Sequence, residues 1–323
     1  MIKKIIYKIT NAIRYRFQKF IIRPFNQIHR FDFPSENNGW KKIGNSPVWG
    51  SPKTGTMFDP YVYLDHDIFH MVVSNRDHKS LAILNSVDGI HWDGYKDILK
   101  GHDSLWDNDV NRGCLVFHEG KYYLWYTGQN KGVSSIGLAI SDNGQDFVHA
   151  VDTPVLKATT KAEGVSVMNP CVLWDENIGK FRMWYSAGEN YEPDVICYAE
   201  STDGIKWNKL NEPVLSKFES HIWERYKIGG CNVLRNDDGS YDIYYIGYQN
   251  LDVARICEAH SKDGIHWTRE ENNLLLSPTK NAWDSDAVYK PSVVKKNGKE
   301  YLWYNGRKDC HEFIGLAIRE QGV

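Results

Sequence analysis

Ser86-Val-Asp-Gly-Ile-His-Trp92 returns as Ser201-Thr-Asp-Gly-Ile-Lys-Trp207 and Ser261-Lys-Asp-Gly-Ile-His-Trp267, with a weaker copy at Ser141-Asp-Asn-Gly-Gln-Asp-Phe147. A second phrase keeps step with it. Its copies are Tyr123-Leu-Trp-Tyr-Thr-Gly128, Arg182-Met-Trp-Tyr-Ser-Ala187, Asp242-Ile-Tyr-Tyr-Ile-Gly247 and Tyr301-Leu-Trp-Tyr-Asn-Gly306, with a fainter one at residues 70–75. The two phrases mark five units at intervals of about sixty residues. Self-similarity at such a period is the signature of an array or a propeller.

Within each unit the chain reads as strands. Aromatic and β-branched residues alternate, as over 121–126, and clusters of Gly, Asn and Asp separate the runs. Asn297-Gly298 and Asp238-Gly239 are expected as two-residue hairpin loops. Four short antiparallel strands, repeated five times, predict an all-β fold, a five-bladed β-propeller over residues 32–323, in which radial closure leaves few open sheet edges. In-phase copies argue against a β-sandwich. The repeated Asp-Gly-Ile-x-Trp is expected to act as blade glue, the Asp-Gly turning the chain and the Trp packing between blades.

The 323 residues are 41% hydrophobic and 13% aromatic, enough for a sizeable core. A net charge of −2 conceals an asymmetry. Residues 1–31 carry eight Lys/Arg and no Asp/Glu, leaving the remainder at −10. An acidic body argues against nucleic acid as a partner. In the basic head, Ile2, Ile6, Ile9, Ile13, Phe17 and Phe20 recur at steps of three and four, which predicts a short N-terminal amphipathic helix ended by Pro24. Such a helix suits an anionic membrane surface through residues 1–23, or a protein face. It is too broken by Lys4, Lys8 and Arg14 to be a secretory signal or a membrane span.

Six cysteines raise the question of disulfides. Cys114, Cys171 and Cys231 are read as equivalent positions in three units, and Cys197 and Cys257 as another equivalent pair. Equivalent positions in different blades do not approach, so buried free thiols are expected. With no export signal, this points to the cytoplasm, with the basic head as a peripheral tether to the inner face of the membrane. No CxxC or His-Cys spacing suggests a metal, and no cofactor fingerprint is present.

Alignment of the units on their Trp-Tyr or Tyr-Tyr pairs places Asp59-Pro60, Arg112-Gly113, Asn169-Pro170, Gly229-Gly230 and Lys290-Pro291 at the starts of the innermost strands, facing the axis. Residues shared by all copies serve the scaffold. Those that differ at the axis are candidates for function, and a ring of unlike polar groups needs partners. Arg225, Lys227 and Arg307 lie near the same strand ends, so Arg112, Asn169, Arg225, Lys227, Lys290 and Arg307 are the expected substrate-binding set. Clustered cations favour an anionic ligand, and Arg matches carboxylate or phosphate with paired hydrogen bonds.

The chain resembles, over roughly residues 40–320, the five-bladed glycosidases of glycoside hydrolase families 32, 43 and 68. The resemblance rests on the blade count, on Phe58-Asp-Pro60 in the first unit and on the Tyr-x-Trp-Tyr second strands. It implies a carboxylate mechanism: a first-blade Asp as nucleophile or base, a second Asp that tunes the site and a later Glu as general acid. Asp59 matches the first. Where the family pattern has its other carboxylates, this chain has Arg112, Met168 and Asn169. Asp109 is assigned as the modulating carboxylate. Glu163, in Glu163-Gly164, is assigned as the acid, because Trp106-Asp107, Trp223-Glu224 and Trp283-Asp284 recur as scaffold while Glu163 is read as standing where those units have Trp. Glycosyl transfer needs such a pair, one group at the anomeric carbon and one at the leaving oxygen.

The expected function is therefore a carbohydrate-active enzyme that cleaves or transfers a glycosyl group. Mannoside phosphorylases, another five-bladed family, use one carboxylate beside a basic phosphate pocket. A phosphorylase or glycosyltransferase of surface-polysaccharide metabolism, acting on an anionic or phosphorylated substrate, is a second reading. A non-catalytic propeller that binds a glycan or a protein is a third.

Overall fold

The computed structural model describes residues 26–189, 192–309 and 311–320. The expected helix over residues 1–23 lies outside them. In chain order the strands are β1 (Lys41–Lys42); β2 (Met57–Asp65), β3 (Ile68–Asn75), β4 (Ser80–Ser86), β5 (Asp93–Lys100); β6 (Asp109–His118), β7 (Lys121–Asn130), β8 (Val133–Ser141), β9 (Val148–His149); β10 (Ser166–Asp175), β11 (Lys180–Glu189), β12 (Glu192–Ser201), β13 (Asn208–Lys209); β14 (Lys227–Arg235), β15 (Tyr241–Tyr248), β16 (Ala254–Ser261), β17 (Trp267–Thr268), β18 (Leu274–Leu276); and β19 (Ala287–Lys296), β20 (Lys299–Lys308), β21 (His311–Glu320). They form five antiparallel sheets, the blades of a propeller. Blade five borrows its outer strand from the other end of the chain: β1 pairs with β21, Lys41 opposite Ile318 and Lys42 opposite Ala317. The ring is thus closed by hydrogen bonds between distant parts of the sequence.

Asn297-Gly298 behaves as expected, with both residues at positive φ, 51° and 73°, joining β19 to β20 in a tight hairpin. Asp238-Gly239 does not. Only Gly239 has positive φ, and the pair sits inside a loop over 236–240 that Asn236 N–H closes onto the Ser240 carbonyl at 2.8 Å.

The two repeated phrases meet across the blade boundaries. Ser86 Oγ accepts from Gly89 N–H at 2.8 Å, and Asp88 Oδ1 accepts from the N–H groups of Ile90 and His91 at 2.8 Å each, so the turn is self-capped. The Gly89 carbonyl accepts from Trp303 of blade five at 2.9 Å. Trp125 donates likewise to Gly204 at 3.0 Å, and Trp184 to Gly264 at 2.7 Å. The second-phrase Trp of one blade therefore bonds the first-phrase Gly of the next. Only glycine fits: φ is 77° at Gly89, and a Cβ there would meet the Trp303 ring at 2.8 Å. Trp92 and Trp207 donate to the glycine carbonyls of their own turns.

A second ring of bonds lies near the axis. Cys114 Sγ accepts from Val172 N–H at 3.1 Å and Cys171 Sγ from Val233 N–H at 3.2 Å. Asn232 Oδ1 serves Val293 at 2.8 Å, Ser292 Oγ serves Val62 at 2.8 Å, and Tyr61 OH donates to the Leu115 carbonyl at 2.9 Å. Each blade holds the next, five times round. Cys231 is not part of this ring. Its place is taken by Asn232, one residue on, which corrects the threefold cysteine equivalence. Cys197 and Cys257 are equivalent, opposite Tyr185 and Tyr245, and the five described cysteines are buried free thiols.

Candidate active site

Every innermost strand carries a β-bulge at the same place, where two residues of one strand escape pairing with the next. The first escaping residue is left-handed in all five blades: Asp59 at φ 56°, Arg112 at 56°, Asn169 at 53°, Gly230 at 54° and Lys290 at 52°. Four of these are not glycine, and each pays the strain of a conformation that L side chains avoid. A bulge re-aims its side chain. Asp59, Arg112, Asn169 and Lys290 all line one cavity of about 560 Å³ on the axis. Blade four enters the alignment one residue later than its Gly-Gly suggests, at Gly230. Having no side chain, Gly230 leaves room for Ile246, whose Cδ1 would lie 2.6 Å from a Cβ placed there.

The strain is supported by the second strands. Asn305 Oδ1 accepts from Asp59 N–H at 2.9 Å, Ser74 Oγ from Arg112 N–H at 2.9 Å, Thr127 Oγ1 from Asn169 N–H at 3.0 Å and Ser186 Oγ from Gly230 N–H at 2.7 Å. These are the variable residues after the Trp-Tyr pairs. Blade four has Ile246 at that place, which instead lines the cavity.

Asp59 is 3% exposed, and its Oδ2 lies 3.2 Å from Nε of Arg112. Asp109 lies on the cavity wall with an exposed ion pair to Lys79 at 3.1 Å. The repeats did not mark the part of the wall near Arg76, three residues before Lys79. There Glu312, on β21, accepts from Tyr289 OH and pairs with Arg76 at 3.2 Å, while the Arg76 guanidinium sits 4.6 Å over the Phe58 ring. Burial, and then the Glu312 charge, push the Tyr289 hydroxyl far above its ordinary pKa, so it remains a donor. No repeat signal marks Glu312, since its role depends on blades one and five meeting.

Two cations in the cavity have no ion pair. No carboxylate lies within 4.0 Å of Lys290, which is 3% exposed, or of Arg307, among the described residues. Arg307 lies 5.9 Å from the Tyr289 ring, and its Nε makes no hydrogen bond. Burial acts to depress the Arg307 guanidinium, but Tyr289, Glu312 and Asp286 together hold it raised. Asp59 Oδ2, Asn111 Oδ1 and Asn169 Oδ1 are also buried without a hydrogen-bond partner, and all three residues line the cavity. Orphaned buried polar atoms concentrated in one cavity mark a place built for a polar ligand.

Glu163 is not there. It is 1% exposed and accepts from Thr159 N–H at 2.7 Å, Thr160 N–H at 2.8 Å, Tyr185 OH at 2.7 Å and Lys209 Nζ at 2.6 Å. Asp107, Glu224 and Asp284 accept in the same way from Tyr126, Tyr245 and Tyr304. Glu163 is thus the third-blade copy of a scaffold carboxylate, and Ala162, not Glu163, stands where the others have Trp. Burial raises its carboxyl, but Lys209 and the two backbone N–H groups outweigh this and leave it below the usual range, the wrong direction for a general acid. Arg225 is exposed and does not line the cavity, and buried Lys227 packs 5.1 Å over the Tyr248 ring behind the wall.

Residues 82–229 match the glycosyl hydrolases family 32 N-terminal domain. The fold is that of the propeller glycosidase group. A thermostable family-43 glycoside hydrolase superposes with a TM-score of 0.64 at 18% identity, covering 83% of this chain and 93% of that one. A structure from the GH130 family of mannoside phosphorylases, described as containing glycoside hydrolases that target β-1,2-mannosidic linkages in Candida mannan, reaches 0.66 at 15%, covering 88% and 94%. In sequence, an uncharacterised protein of Mycobacterium tuberculosis is 29% identical over 80% of this chain and 90% of its own length. The β-1,2-mannobiose phosphorylase of Thermoanaerobacter sp. is 26% identical over 69% of this chain and 93% of its own.

Proposed function

We propose that the axial cavity is the active site of an enzyme that breaks or transfers a glycosidic bond, with Asp59 at the glycosidic oxygen and Lys290 and Arg307 holding an anionic acceptor, phosphate in the simplest case. One observation carries this reading: a deeply buried carboxylate free of scaffold duty stands in a cavity with two cations that make no ion pair among the described residues.

Hydrolysis with two protein carboxylates needs a second acid poised in the same cavity. Here Glu312 is engaged by Tyr289 and Arg76, half-buried Asp109 is paired with Lys79, and Asp252 accepts from Asn26. A phosphate oxygen removes that need, because it is itself the nucleophile. It forms the new bond to the anomeric carbon as the old glycosidic C–O bond breaks; the departing oxygen takes a proton from Asp59 in its protonated form, and the proton that hydrogen phosphate gives up on forming the ester restores it. Arg307 and Lys290 offset the phosphate charge in a site of low dielectric. Relatives named for mannobiose and oligomannan phosphorolysis make β-1,2-mannosides the first substrates to try.

The test is incubation of the full chain with a panel of mannosides and other disaccharides, with and without phosphate, measuring sugar 1-phosphate and free sugar. Phosphate-dependent sugar 1-phosphate, lowered by roughly a hundredfold or more in Asp59→Asn, is the expected result. Turnover undiminished in Asp59→Asn, or none on any glycan, overturns the reading.

The basic N-terminal segment supports a site beside an anionic membrane. Asn26, the first described residue, bonds Asp252 in the cavity wall at 3.1 Å, so the segment joins the propeller at the rim of the cavity. A cytoplasmic enzyme tethered there would present its mouth to surface-polysaccharide precursors. Flotation with anionic liposomes that is equal for the full chain and for a chain lacking residues 1–23 removes this part of the reading.

A further inference from the structure

The scaffold carboxylates of blades three, four and five share a second partner besides their tyrosine. Lys209 lies 2.6 Å from Glu163, Arg269 3.0 Å from Glu224 and Lys42 2.6 Å from Asp284. Each cation comes from the outer strand or its end, at one register. Lys209 faces Ala199 and Lys42 faces Ala317 across the sheet, and Arg269 follows Thr268, which faces His260. A buried carboxylate is tolerated because a permanent positive charge is built in beside it.

Blade two departs from this. His149 faces Ala139 at the same register, and the carboxylate, Asp107, is fully buried. Among the described residues its ion-pair partners are both imidazoles: His102 Nδ1 at 3.0 Å and His149 Nδ1 at 3.9 Å, with the two rings 4.0 Å apart. His149 Nε2 lies 3.0 Å from the Lys100 carbonyl, which can only accept, so the Nε2 carries the proton. The Nδ1 lone pair therefore points inward, toward Asp107 and Tyr126 OH, and the hydroxyl has one proton for two acceptors at 2.9 and 3.0 Å.

We propose that a divalent first-row transition ion, zinc foremost, supplies the positive charge of this pin, held by His102 Nδ1, His149 Nδ1 and the Asp107 carboxylate, with water completing the shell on the partly exposed His102 side. The candidate ligand atoms lie within 4.8 Å of one another. Tetrahedral zinc with bonds near 2.0–2.1 Å places its ligands about 3.3 Å apart, so small rotations of two rings suffice. Two imidazoles and one carboxylate select such ions over magnesium or calcium. The role is structural. The ion would fasten the segment over 102–107 to outer strand β9, outside the axial cavity. The two histidines stand 47 positions apart, which hides the site from any spacing rule and is why the sequence raised no expectation of a metal.

The experiment uses the tag-free full chain, stripped with chelator and titrated with zinc chloride by calorimetry and by melting temperature. Saturation at one equivalent with a higher melting temperature is expected, and magnesium chloride should do neither. His149→Lys installs the cation used by blade three; it should weaken zinc binding at least tenfold without lowering the melting temperature of the metal-free chain. His102→Asn, at a partly exposed position, should weaken binding likewise. No saturable zinc binding in the wild type, or binding unchanged in both variants, overturns the proposal.

Discussion

Nε of Arg112 lies 3.2 Å from Oδ2 of Asp59, across the boundary between blades two and one, yet the angle between them does not make a hydrogen bond. The pair holds charge without consuming the carboxylate's lone pairs. That leaves Oδ2, on a residue that lines the cavity, with a lone pair for a substrate hydroxyl and, when protonated, a proton for a glycosidic oxygen.

Removing Arg112 isolates a buried carboxylate. Arg112→Met should cost about 3 kcal/mol of stability. The double variant Asp59→Asn/Arg112→Met should cost less than Arg112→Met alone, because the stranded charge is gone. A double-mutant cycle from denaturant unfolding reads the coupling directly, and additive costs would contradict the ion pair.

Asp59→Asn should fold normally, since its backbone N–H still reaches Asn305 Oδ1. Glycosyl turnover should fall by roughly 10²–10⁴-fold, the usual worth of a positioned proton donor. Steady-state rates with melting temperatures as control provide the check.

Arg307→Ala and Lys290→Met should raise the KM for phosphate far more than the KM for the sugar, because their charges are reserved for the anion. Rates measured against each substrate in turn separate the two. An equal effect on both would place these cations in the scaffold rather than the acceptor site.

Glu163→Gln should leave kcat unchanged and lower stability, since Lys209 loses its counter-charge. The wild-type carboxyl is held below its ordinary value on folding. Its contribution is therefore fully present above the unfolded pKa, about 4.3, and disappears as pH falls through the lower folded value. Stability followed from pH 7 down to pH 3 should fall less steeply in the variant. Loss of catalysis with an unchanged fold would return Glu163 to the chemistry.

Asn305→Ala withdraws the acceptor that steadies the left-handed Asp59. A drop of about tenfold in kcat, with KM little changed, is expected. Asn305→Asp keeps an acceptor at the same reach and should retain more activity than the alanine variant.

The blade count, the strand runs, the axial ring and the place of Asp59 were all legible in the sequence, because each repeat must bury the same faces against its neighbours and so spells the same residues. Asp59, Asp109, Arg112, Asn169, Lys290 and Arg307 do come together on the cavity wall. Glu163, Arg225 and Lys227 do not. Glu163 looked free because one carboxylate on a blade linker resembles another until its donors are seen. Glu312, Tyr289 and Arg76 were missed because they meet only when blade five closes on blade one. Periodicity records what a residue does for its own blade and the next. Which charges remain unpaired at the axis, and which imidazoles replace a lysine, depends on distances between residues far apart in the chain, and only the closed ring sets those.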